Sequence, residues 1–178
     1  MNSDSVRLSL PTYDEVEFGK RYAELKAYKV SVPGNLEPLG YMGINDLLGQ
    51  IQAMMTRTNE LLIDAERDFG SAQATALAAK SAFDAKKSAL LMSKDRTTFD
   101  SFRDLEASVD TELAEDKKLM DRTKLVSGLF SAYLTCVKGT YKNLEHAKRT
   151  LQAQNKNYMQ LHPPPIGYPS SHGYQSVD

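Results

Sequence analysis

Residues 44–92 read INDLLGQIQAMMTRTNELLIDAERDFGSAQATALAAKSAFDAKKSALLM. Within them Leu47, Ile51, Met54, Thr58, Leu61, Ala65, Phe69, Ala72, Ala76, Ala79, Phe83, Lys87 and Leu90 follow one another at alternating steps of four and three, with an extra four after Ala65 and another after Phe83. That spacing is the seam of a long α-helix packed on another helix, and an extra step of this kind is a stutter that locally unwinds any supercoil. At ~1.5 Å per residue such a helix is on the order of 70 Å long, more than one small core can cover. A second long helix, from this chain or another copy, must cover its apolar face. The fold class is therefore all-α.

Composition sets the outer bounds. A chain of 178 residues fits one domain with tails or one extended helical hairpin. Hydrophobic residues at 41% and charged residues at 25% are ordinary for a folded protein, whereas aromatics at 8% and no Trp are sparse for an enzyme. One cysteine, Cys136, excludes an internal disulfide and points to a reducing, cytoplasmic setting. No run approaches the ~18 apolar residues of a membrane helix, and the first residues, with Asp4 and Arg7, do not read as a signal peptide.

A formal net charge of −1 conceals strong sorting. Residues 1–70 hold seven basic and eleven acidic side chains, a balance of −4, and residues 71–99 hold five and two, a balance of +3. Residues 100–121 hold three and eight, a balance of −5, and residues 122–162 hold seven and one, a balance of +6. Charge lies in blocks.

Taken in order, residues 1–43 form an N-terminal arm. Its first ten residues lack periodicity and read as disordered. Pro11 and Thr12 are placed to open a short helix with Tyr13, Val16, Phe18, Tyr22 and Leu25 spaced for partial burial, ending near Tyr28. Pro33, Gly34, Pro38, Gly40 and Gly43 make a connector. Residues 44–162 form the helical core, an antiparallel coiled-coil-like hairpin of two long helices. Asn45 and Asp46 are candidate caps of the first. Its middle, Ser71–Ala85, carries small residues on every face, which lets a partner helix approach closely. Ser93–Asp100 is the turn, and a second helix from Ser101 to Leu161 follows. That helix has a good seam from Leu119 onward and a wide wet face over Asp104–Asp116. Residues 163–178, opening on Pro163–Pro165, form a flexible proline-rich tail.

Chemistry is marked mainly by what is missing. His146, His162 and His172 have no Cys or carboxylate at ligand spacing, so no metal or cofactor is expected. There is no phosphate loop or nucleophile elbow, and Cys136, among Tyr133, Leu134 and Val137, reads as a small buried apolar residue. Catalysis is not expected. The basic residues remain. Lys80, Lys87 and Lys94 recur every seven residues, with Lys86 and Arg96 beside them, and Lys138, Lys142, Arg149 and Lys156 form a second stripe. The plain reading is two solvated faces beside a seam. The functional reading is a surface that tracks a phosphate backbone without reading its sequence.

The order of parts carries a resemblance. An arm precedes an Ala- and Lys-rich helix ending A-K-S-A-F-D-A-K-K-S-A-L-L; after a break come F-R-D-L-E-A-S-V-D and a long helix closing Y-K-N-L-E-H-A-K-R-T-L-Q. Over about Leu47 to Gln152 this resembles the UvsY-type recombination mediators of tailed phages. The resemblance implies a ring-shaped homo-oligomer that binds single-stranded DNA, works with a single-strand-binding protein and loads a recombinase. In that family a Lys and a following Arg near the end of the first long helix contact DNA. Lys86 and Lys87 occupy the comparable stretch here, with no Arg close behind, and the arm and the tail depart from the pattern.

The sequence thus predicts a non-enzymatic single-stranded-DNA-binding mediator, with Lys80, Lys86, Lys87, Lys94, Arg96, Lys138, Lys142 and Arg149 on the nucleic acid. Phe69, Phe83, Phe130 and Tyr133 are expected to lie in the helix–helix contacts of the oligomer. The alternative is a structural or adaptor protein, such as a virion or scaffold component, whose helices serve assembly alone.

Overall fold

In a computed structural model the described residues are 14–163, so the expectations of a disordered start and a flexible tail fall almost wholly outside them. They are helical throughout apart from short connections: α1 (Glu15–Ala27), α2 (Gly40–Ser93), a 3-10 turn (Arg96–Thr98), α3 (Phe102–Glu112) and α4 (Ala114–Leu161). The two long helices, α2 and α4, pack together. The residues form two compact units, one of residues 14–28 with Arg57–Tyr141, the other of Lys29–Thr56 with residues 142–163.

Local chemistry explains the starts of the elements. Asp14, not Pro11 or Thr12, caps α1: its carboxylate accepts from the Val16 and Glu17 amides at 2.9 and 3.2 Å. α2 begins at Gly40, four residues before the periodic seam, so Asn45 and Asp46 are inside the helix and do not cap it. Gly40 has φ of +57°, a left-handed conformation that a side chain would strain. Asp95 opens the 3-10 turn, and Ser101 caps α3 by accepting from the Asp104 amide.

The seam of α2 is the one read from its spacing. Ile51, Thr58, Leu61, Ala65, Ala72, Ala79 and Phe83 are buried, and Leu47, Met54, Phe69, Ala76, Lys87 and Leu90 are half-buried. The second half of the chain needs correction. It is not one helix from Ser101 to Leu161 but two, bent at Leu113 (φ −93°, ψ 15°). The ladder nearly survives the bend: the Leu113 amide bonds Val109 O, and Leu113 O accepts from the Lys117 amide, both at 2.9 Å. The seam passes the bend in phase: from Leu113 it runs in steps of three and four through half-buried Asp116 and Met120 to buried Thr123, which leaves Leu119, one position before Met120, 39% exposed. Phe102, the first position of the expected seam, is 55% exposed, whereas Leu105, Val109 and Leu113 are buried beside the wet face of 104–116. Thr123 avoids an unpaired buried hydroxyl by donating to Met120 O at 2.8 Å.

The first unit has two apolar clusters. In one, Phe83 meets Leu105, Val109 and Leu113, flanked by Leu90, Leu91, Phe99 and Met120. In the other, Leu25 of α1 packs on Leu61, Ala65, Tyr133 and Val137, flanked by Phe18, Tyr28, Leu62 and Leu134. Val16 and Tyr22, expected to share that burial, are exposed. The second unit buries Leu36, Ile44, Ile51, Met55, Leu144, Ala147 and Leu151. Its Tyr41 hydroxyl donates to His162 O at 2.6 Å, and the Tyr41 and Tyr158 rings meet edge to face at 5.7 Å.

These positions separate core from surface experimentally. Leu105→Ala should lower unfolding free energy by about 3 kcal/mol, through lost burial and the cavity left behind. Leu119→Ala should change it by less than about 0.5 kcal/mol. Urea denaturation of the two variants checks this assignment of core and surface; equal losses would contradict it.

Candidate functional site

The lysines expected to meet DNA are on the side of α2 that faces α3 and the start of α4. Lys87 Nζ lies 2.8 Å from Asp110 Oδ1. Lys94 Nζ lies 2.9 Å from Glu112 Oε2 and donates to Ser108 Oγ at 3.0 Å. Lys86 Nζ pairs with Asp116. The result is a ladder of three ion pairs between two helical stretches of opposite charge. Lys87 and Lys94, seven apart, share one side of α2 with Lys86 beside them, and Asp110, Glu112 and Asp116 answer them from the two sides of the Leu113 bend. The Asp110 carboxyl is held below the usual carboxylate range, first by its hydrogen bond with Lys87, and the Lys87 ammonium is correspondingly raised by Asp110.

The other predicted contacts scatter. Lys80 is exposed and without an ion pair among the described residues. Arg96 places its guanidinium 5.7 Å from the centre of the Phe102 ring. Of the second stripe, Lys138 reaches Glu66 at 3.0 Å in the first unit. In the second, Arg149 turns back to Glu145 at 2.6 Å on its own helix, while Lys142 and Lys156 are exposed. Lys148, not singled out by the stripe, donates to Gln52 at 2.7 Å. Within the first unit the candidate cations meet different partners: Lys86, Lys87 and Lys94 the acids of α3 and early α4, and Lys138 Glu66.

The aromatic residues expected in oligomer contacts are engaged inside the chain. Phe83 and Tyr133 belong to the two buried clusters, and Phe130 meets Phe18 edge to face at 5.9 Å. Phe69 is half-buried. The large apolar side chains left open are others, among them Ile63, Leu77 and Met92 on α2 and Leu125 on α4. Cys136 is exposed, against the expectation of burial, because α4 turns it away from Tyr133 and Val137. Among the described residues no group of three His, Cys, Asp or Glu side chains could hold a metal ion, and no helix is long and apolar enough to cross a membrane.

What the ladder can do chemically follows from its charge. The blocks 71–99 and 100–121, at +3 and −5, combine to −2, so a polyanion approaching these lysines also meets their acidic partners. The sequence signal for this is the acid block 100–121 itself, which follows directly on the basic block. No protein family, curated protein or solved structure matches this chain.

The ladder is electrostatic and should behave so. In a double-mutant cycle of Lys87→Ala and Asp110→Ala, thermal melts should show a favourable coupling that falls by about half or more in 1 M salt, where the Debye length is about 3 Å. Because Asp110 is depressed in the folded protein, its contribution is present above the ordinary carboxylate range and disappears as pH drops below about 4. A coupling insensitive to both salt and acid would mean that the side chains do not pair.

Proposed function

We propose that this chain is a non-enzymatic helical assembly or adaptor protein, built as an antiparallel pair of long helices and acting through the outer faces of that pair. The observation that carries this reading is the engagement of Lys86, Lys87 and Lys94 by Asp116, Asp110 and Glu112. Cations spent on pairing two segments of one chain serve its architecture and are poor hosts for phosphates. Antiparallel order has support within the first unit, where Glu66 pairs with Lys138 and Lys86 with Asp116, so that a later position on α2 meets an earlier one on α4. In the second unit Gln52 with Lys148 and Tyr41 with His162 run in the same sense.

Self-assembly is part of the proposal. Ile63, Leu77 and Met92 are 60%, 62% and 87% exposed and fall at roughly four-turn intervals along one side of α2. The Ala, Gly and Ser residues between them permit close approach by another helix. A cytoplasmic setting is proposed from the single cysteine, which is exposed.

A second reading, a single-stranded-DNA-binding mediator of UvsY type that loads a recombinase with a single-strand-binding protein, has support in Lys80, Lys142 and Lys156, which are exposed and without an ion pair among the described residues. One experiment separates the two. Light scattering should show an oligomer, and fluorescence anisotropy with a labelled oligothymidine should show no saturable binding at 50 mM salt. Tight binding that weakens with a log–log salt slope of about −0.7 per contact would overturn the assembly reading in favour of the mediator. If binding occurs, Lys142→Ala should reduce the slope and Lys87→Ala should not.

A further inference from the structure

α1 is the lightest attachment in the first unit. Thirteen residues are at the lower limit for a helix stable by itself. Among its described side chains only Leu25 is buried, with Phe18 half-buried, while Val16 is 67% exposed. Two guanidinium–carboxylate links tie it to α2: Arg21 to Asp68 at 3.2 Å and Arg57 to Glu24 at 2.9 Å.

Every charged group in those links has a second partner on its own side. Arg21 keeps Glu17 of α1 at 3.2 Å, and Arg57 keeps Glu60 of α2 at 2.9 Å. Asp68 keeps Arg67, and Glu24 keeps the Tyr28 hydroxyl, which donates to it at 2.7 Å. Separation would leave no charge alone, so the heavy cost of stranding an ion does not arise. The fit beneath is also imperfect. A cavity of about 80 Å³ lies among Phe18, Arg21, Asp68, Phe130 and Tyr133. Tyr133 is 3% exposed, yet among the described residues its hydroxyl has no protein hydrogen-bond partner. An orphaned buried hydroxyl penalises the closed arrangement and finds water in an open one.

We propose that α1 is a strap that lifts as a unit from α2 and α4, uncovering the apolar groove formed by Leu61, Ala65, Tyr133 and Val137. The inference is independent of what the assembled protein binds. It concerns a conformational device: a short helix, held by doubly partnered charges, that guards an otherwise continuous apolar surface.

Hydrogen exchange of the full chain, followed by mass spectrometry, tests it. Amides of α1 should exchange at least about tenfold faster than those around residues 61–65 and 133–137, as expected for local opening below the global limit. Tyr133→Phe removes the orphaned hydroxyl and should slow α1 exchange several-fold. Glu24→Gln weakens one tie and should speed it. Neither change should alter the two reference segments beyond their normal scatter. Simple fraying of α1 in place would not respond to Tyr133, which belongs to α4. Exchange of α1 in step with the reference segments would overturn the proposal, and so would a Tyr133→Phe variant, helical by circular dichroism, whose α1 rates are unchanged or faster.

Discussion

A helix of 54 residues buries nothing by itself. Helix propensity supports a few turns in water, and persistence over fifteen turns requires a partner along the apolar stripe. The rest of this structure answers that requirement. α4 covers the stripe along much of its length, α3 bends at Leu113 to seat Leu105 and Val109 on Phe83, and α1 adds Leu25 over Leu61 and Ala65. Each lesser element sits where the seam needs a lid.

Hydrophobic cover alone does not fix which stretch of one helix meets which stretch of another, since Leu and Ala seams slide with little penalty. Charge supplies the discrimination. The basic end of α2 meets the acidic stretch of α3 and early α4, and Glu66, in the acidic block, meets Lys138 in the basic one. A displaced register would set Lys87 against other lysines or against solvent. Individually such surface pairs add little stability. Their use is to penalise the alternatives, which explains why the charges lie in blocks and not in alternation. It also explains how the same lysines looked, from the chain alone, like a phosphate-binding stripe: the acids that answer them are eighteen to thirty positions further on and become neighbours only in the folded chain.

The seam of α2 was legible because burial there follows a fixed period over seven turns and more, and Ile51, Thr58, Ala65, Ala72 and Phe83 obey it. Departures arose where one torsion outweighs the pattern. Gly40 starts α2 early through a left-handed φ that no periodicity announces. The Leu113 bend has neither Gly nor Pro and keeps the hydrogen bonds on both sides of Leu113, so nothing in the residue types marks it. The seam crosses it in phase, through Met120 and Thr123, so Leu119 falls beside the seam and not on it. Lys87 and Lys94 were legible as a stripe but not as a site, because a ladder is a property of two segments and the sequence displays one at a time.

The packing between the ion pairs Glu66–Lys138 and Lys86–Asp116 bears on why the small residues of α2 are where they are. Across that interval α2 buries Ala72, Ala79 and Phe83, whereas α4 buries Thr123, Val126, Tyr133 and Val137. Alanine on one helix against larger side chains on the other fills a narrow interface without voids, and it lets the backbones come close enough for the flanking lysines to reach their acids. Larger residues at Ala72 or Ala79 would force α2 and α4 apart and lengthen the Glu66–Lys138 and Lys86–Asp116 pairs that bracket them. The uncharged middle of α2 and its charged end are therefore one device: the alanines set the separation at which the lysines can discriminate between registers.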